Sequence, residues 1–138
     1  MINLEFAKNM KETSNELLGK LKEEVKKAYN NNNYEYNEYY LDNVKFVFED
    51  KEYILECFSC DNWMDEGKKY QIRNELYFLT ASSYETHNIV ISVPVRRTGS
   101  DYSYYDFDYE ETTYRKIKIK EIPEQIIPAH EAVMSEEV

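Results

Sequence analysis

Val44-Lys45-Phe46-Val47-Phe48-Glu49-Asp50-Lys51-Glu52-Tyr53-Ile54-Leu55-Glu56-Cys57-Phe58 is the stretch on which the fold turns. Val44, Phe46 and Phe48 alternate with Lys45 and Val47. Tyr53, Leu55 and Cys57 likewise alternate with Ile54, Glu56 and Phe58. A period of two sends successive side chains to opposite faces of a strand, and the polar Glu49-Asp50-Lys51-Glu52 between the two runs predicts an antiparallel hairpin.

On its N-terminal side the period is helical. From Asn3 to Tyr29 the apolar residues Phe6, Met10, Leu17, Leu21, Val25 and Tyr29 recur at steps of three and four, which predicts one amphipathic helix. Asn3 and Asn9 are both candidate caps. Glu16 before Lys20 and Glu23 before Lys27 make i,i+4 pairs on the wet side, and the run Asn30 to Asn33 ends the helix. On the C-terminal side, Leu76 to Leu79 and Ile89 to Val95 form a second candidate strand pair, with a helix over Ile72, Leu76 and Leu79 as the alternative for the first member. Pro94 predicts that the later strand lies at an edge or stops there. Ile117 and Ile119 alternate with Lys116, Lys118 and Lys120, a strand whose lysines suit a sheet edge. Beyond it, EIPEQIIPAHEAVMSEEV carries five glutamates and no Lys or Arg, which predicts an acidic tail that is mobile or ordered only by docking. The expected architecture is α+β: an N-terminal helix packed on a mainly antiparallel sheet of four to six strands, with one domain over residues 1–122 and a tail over 123–138.

The 138 residues suffice for one core without staples, and 27 acidic against 17 basic side chains give a formal charge of -10. That charge repels phosphate, so the chain is not expected to bind DNA or RNA unaided. The sequence shows neither a secretory leader nor an apolar run of membrane-spanning length, and its two cysteines make no disulfide framework; a cytoplasmic setting is expected. Abundant Asn, Lys, Ile, Glu and Tyr beside three Gly and three Pro suit AT-rich codons and hence a low-GC bacterium or its phage.

The acidity is local. Residues 34–66 hold ten acids against Lys45 and Lys51, interleaved with Tyr34, Tyr36, Tyr39, Tyr40, Tyr53 and Trp63. Carboxylates so spaced match the Arg and Lys of a nucleic-acid-binding surface, and the rings offer the contacts that bases make. The candidate partner-binding residues are therefore Glu35, Tyr36, Glu38, Tyr39, Tyr40, Asp42, Asp61, Trp63 and Asp65. The competing reading is a solvated face with half-buried tyrosines. In a second acidic stretch, Asp101 to Glu111, an extended backbone places Asp106, Asp108 and Glu110 on one face and Tyr105, Phe107 and Tyr109 on the other. The rings are then core and the acids cross-strand neighbours of the lysines at 116–120. Glu111 stands where a calcium loop needs Gly.

Cys57-Phe58-Ser59-Cys60 has redox or metal spacing but ends a predicted strand, away from any helix N-terminus that would activate a thiol. A zinc site would need His87 and also His130, in the expected tail. Neither metal nor cofactor is expected. With no phosphate loop, nucleophile elbow or zinc-protease motif, the chain is read as a binding protein rather than an enzyme.

In overall character (short, one domain, strongly acidic, without a catalytic signature) the chain resembles the small phage-encoded anti-CRISPR and anti-defence proteins. The resemblance rests on no motif and transfers no residue. It implies an inhibitor that occupies the basic nucleic-acid-binding surface of a host defence nuclease. The alternatives are a small-ligand binder or enzyme with a tyrosine-lined cleft, and an accessory subunit of a larger complex.

Overall fold

The computed structural model describes residues 10–31, 39–42, 44–67, 70–82, 85–102, 104–122 and 129–138. The order of elements is α1 (Asn15–Asn31), β1 (Lys45–Phe48), β2 (Lys51–Cys60), β3 (Met64–Glu66), β4 (Tyr70–Ala81), β5 (Thr86–Thr98), β6 (Tyr104–Phe107), β7 (Thr113–Ile122) and β8 (Ala129–Glu137). This is the expected α+β class. All pairings between the named strands are antiparallel, in the order β1-β2-β4-β5-β7-β8, with β3 added to β4 and β6 to β5.

The helix begins later than the sequence period suggests. Ser14 is its cap: the Leu17 N–H donates to Ser14 Oγ at 3.1 Å, satisfying one of the amides that a helix start leaves unpaired. Leu17, Leu18, Leu21 and Val25 form the buried stripe. Upstream the chain is extended and clasped to β5. Lys11 N–H donates to the Thr86 carbonyl and Asn88 N–H to the Lys11 carbonyl, both at 2.9 Å, and Thr13 N–H donates to Asn88 Oδ1 at 2.7 Å. Met10, expected on the helical stripe, packs on the far face of the sheet with Phe78, Val90 and Ile117. The expected caps Asn3 and Asn9, and Phe6, lie outside the described residues.

The first hairpin forms as read, with Phe46 opposite Tyr53 and Phe48 opposite Lys51. Its turn is tighter than a four-residue loop: Glu49 and Asp50 both have positive φ, 49° and 65°, as the two central residues of a type I′ turn must. β2 then bulges between Cys57 and Ser59. The Cys57 N–H is taken up there by Asp42 Oδ1 at 2.7 Å. Phe58, the extra residue of the bulge, stacks on Phe78, ring centroids 3.8 Å apart.

The expected strand over Leu76–Leu79 forms, inside the longer β4. Two expectations are corrected. Pro94 sits inside a central strand rather than at an edge or an end. β5 pairs with β7 over Ile89–Ser92 and with β6 over Val95–Thr98, so Pro94 falls in the gap where a missing N–H costs no ladder bond. The lysine-bearing β7 is not an edge, because β8, expected within the acidic tail, runs antiparallel along it from Ile122↔Ala129 to Arg115↔Glu137.

The main core fills the space between α1 and one sheet face, with Leu55, Tyr77, Leu79, Ile89, Ile91 and Phe107 at its centre. Truncating a fully buried member such as Leu21 to Ala would cost about 2–5 kcal/mol.

Candidate functional site

The end of the β4–β5 ladder away from the helix start carries the unusual chemistry. β4 alternates, so Arg73, Glu75 and Tyr77 face the core while Ile72 and Asn74 face the opposite side. Glu75 is fully buried. Its carboxylate accepts Arg73 Nη2 at 2.9 Å and the Tyr77 hydroxyl at 2.6 Å. An isolated buried carboxylate is prohibitively costly, and a guanidinium plus a phenol supply the compensation. Burial opposes the charge on Arg73, but Glu75 outweighs it and holds the guanidinium above its usual range. Burial first, then Glu75, pushes the Tyr77 phenol up.

Arg73 also lies over the Trp63 ring at 4.2 Å, and Arg97 covers the same indole at 4.1 Å. Both positions suit cation–π attraction. Arg97 is fixed in turn by Gln71 Oε1, which accepts its Nε at 2.8 Å, while Gln71 Nε2 donates to Asp65 Oδ1 at 2.8 Å. Trp63 is thus clamped, and with it the neighbours Asp61, Asn62 and Met64.

Those neighbours form one wall of an open cleft of about 300 Å³. Its floor is the other face of β4 and β5: Ile72, Asn74 and Pro94. Opposite stand Asp106 and Asp108, with Arg96 between floor and wall. The backbone fixes both walls. Asp61 N–H donates to the Asn74 carbonyl at 3.1 Å and Asp108 N–H to the Pro94 carbonyl at 2.9 Å. Asp108 Oδ1 accepts the Glu111 N–H at 3.1 Å, closing a turn. Arg96 lies over the Tyr70 ring at 4.4 Å. Arg73 borders the cleft but is neutralised by Glu75, so the carboxylates dominate, and Met64, 65% exposed, adds apolar surface at the rim.

The residues singled out in the sequence divide. Asp61 lines the cleft and Trp63 holds its wall. Asp65 is exposed and bonded to Gln71. Tyr39 is half-buried with Arg73 5.3 Å from its ring centre. Tyr40 goes into the core against Phe107, centroids 4.2 Å apart, and presents no ring to a partner. Asp42 caps the β2 bulge. Glu35, Tyr36 and Glu38 lie outside the described residues. Asp106 and Asp108 were read as cross-strand partners of the lysines; β6 pairs with β5 instead, and both acids turn to the cleft. The alternation of acids and rings in 105–109 was the available signal, and Phe107 is fully buried as that alternation requires.

Cys57 is a half-buried free thiol and Cys60 an exposed one. Among the described residues no group of three or more His, Cys, Asp or Glu is placed to hold a metal ion, and no helix is long and apolar enough to cross a membrane. No curated protein and no solved structure matches the chain. The Phage T4 Y04K protein family matches residues 8–132, a span running from the clasp at Lys11 through both walls of the cleft and into β8. The chain belongs to that family, and its lineage is therefore that of a phage-encoded protein.

Proposed function

We propose that this phage protein is a non-enzymatic binding protein whose acidic cleft engages a basic surface on a larger host protein. Its use is to occupy a nucleic-acid-binding site, that of a defence nuclease being the target class. The observation carrying this reading is the meeting of two separate acidic stretches, Asp61 on one wall and Asp106 with Asp108 on the other, across the apolar floor of Ile72 and Pro94. The formal charge of -10 adds long-range attraction to a cationic partner and repels nucleic acid. The aromatic part of the mimicry narrows, since Tyr40 is buried and Trp63 is clamped between two arginines.

A small-ligand site is the second reading, favoured by the concavity itself. It differs from a tyrosine-lined cleft, because no tyrosine lines this one among the described residues.

The test compares wild type with an Asp61→Asn, Asp106→Asn, Asp108→Asn triple variant as bait for host proteins. The reading expects the wild type to retain a nucleic-acid-binding protein that added DNA or RNA displaces, and the variant to lose it. Equal retention by both baits would remove the cleft from the function.

A further inference from the structure

We infer that the cleft is a receptor for one arginine side chain projecting from the partner's basic surface. The inference rests on the binding role proposed above and specifies the group recognised.

Three features select a guanidinium over an ammonium. First, the acceptors stand on two facing walls, Asp61 beside Asn62 on one and Asp106 and Asp108 on the other, with Asn74 on the floor between them. A planar fork presents five donors along several edges and reaches across such a pair of walls, whereas the three donors of a lysine radiate from one compact, strongly hydrated centre. Second, the floor of Ile72 and Pro94 is apolar, as is the exposed Met64 at the rim. A weakly hydrated guanidinium tolerates that contact, and the aliphatic stem behind it packs there. Third, the walls are fixed before any ligand arrives. Asp61 and Asp108 are tied to β4 and β5 by their own backbone amides, and Trp63 is clamped between Arg73 and Arg97. Pre-set acceptors reduce the ordering cost of binding. The two native arginines at the cleft do not fill it: Arg73 is neutralised by the buried Glu75, and Arg96 lies against the Tyr70 ring.

Trp63 is the sole tryptophan, so its emission reports on the wall. The probes are three blocked tripeptides, acetyl-Gly-Xaa-Gly-amide with Xaa arginine, lysine or citrulline, titrated into the full chain while following Trp63 fluorescence and backbone amide shifts. The arginine probe is expected to bind in roughly the millimolar range, at least five-fold tighter than the equally charged lysine probe, moving the amides of Asp61, Asn74, Asp106 and Asp108. The citrulline probe is expected not to bind. An Asp106→Asn, Asp108→Asn variant with an unchanged far-UV spectrum should lose at least ten-fold in affinity for arginine. Equal affinity for arginine and lysine, or shifts spread over the acidic surface rather than the cleft, would show charge attraction alone and overturn the inference. So would no binding of the arginine probe. Those results leave the proposed function standing if capture of the host protein still depends on Asp61, Asp106 and Asp108. Capture indifferent to the three acids refutes that function even where the peptide binds.

Discussion

Tyr77 donates its hydroxyl to the Glu75 carboxylate at 2.6 Å inside the core, from two positions further along the same strand. With Arg73 on the other carboxylate oxygen, the three residues form a buried polar unit in an apolar setting. Removing its central carboxylate takes a partner from both of the others. Glu75→Gln is expected to lower the unfolding free energy by about 3–5 kcal/mol, because it removes the carboxylate that offsets the buried Arg73 charge. An Arg73→Met, Glu75→Leu, Tyr77→Phe triple variant should be more stable than Glu75→Gln alone. Urea denaturation of both variants reads the comparison.

His87 gives the fold a dependence on pH. The ring is buried edge-on to Tyr53, centroids 5.4 Å apart, and its Nδ1 has no hydrogen-bond partner among the described residues. Burial holds its pKa below the ordinary 6.5; Lys51 and Lys11 act in the same direction, while Glu85 and a bond to the Glu12 backbone oppose them. The unfolded chain therefore takes up this proton more readily than the folded one. The stability is fully present above about pH 6.5 and falls as the pH drops below it, with a slope of up to about 1.4 kcal/mol per pH unit. His87→Phe should flatten that part of the profile. A series of denaturation curves between neutral and mildly acid pH measures it.

The two thiols should react at different rates. Burial pushes the Cys57 thiol up to about 12, with Glu75 and Asp42 adding to the effect, so almost no thiolate is present at neutral pH. Cys60 is exposed. A maleimide or iodoacetamide time course followed by mass spectrometry is expected to modify Cys60 first and Cys57 only on unfolding.

Deleting 129–138 removes β8 and leaves β7 beyond Lys116 without a partner strand, since β5 pairs with β7 only over Thr113–Lys116. The midpoint of thermal unfolding should fall by several degrees, a change of roughly 1 kcal/mol or more for a domain of this size. Amide exchange at 117–122 should become fast. Retained protection there would show that β8 contributes no ladder.

The parts of the fold that are legible in the sequence are those where one local rule decides. The hairpin β1–β2 follows from strict alternation, and the stripe Leu17, Leu21, Val25 from helical spacing. The helix start was not legible because Met10 continues the stripe numerically, while the pairing of Lys11 and Thr13 with β5 holds the chain extended up to the cap at Ser14. The places of Pro94 and β7 in the sheet were not legible because each depends on which strand lies alongside, a non-local fact. The same holds for the site. The acid at Asp61 was visible, but its meeting with Asp106 and Asp108 depends on β6 folding back on β5. The buried Glu75 gave no sequence signal beyond a carboxylate two residues from an arginine and two from a tyrosine.

The clasp of Lys11 and Thr13 on Asn88 also dictates an order of events during synthesis. The amide that fixes the start of α1 binds a side chain 75 positions later, so the helix sequence leaves the ribosome long before its anchor exists. Until β5 has emerged and paired, Leu17, Leu21 and Val25 have no sheet to cover them. Contacts of such long sequence separation slow folding, and uncovered apolar stripes are what chaperones hold. A chain built this way leaves its helical stripe uncovered until β5 is complete, whatever it binds afterwards.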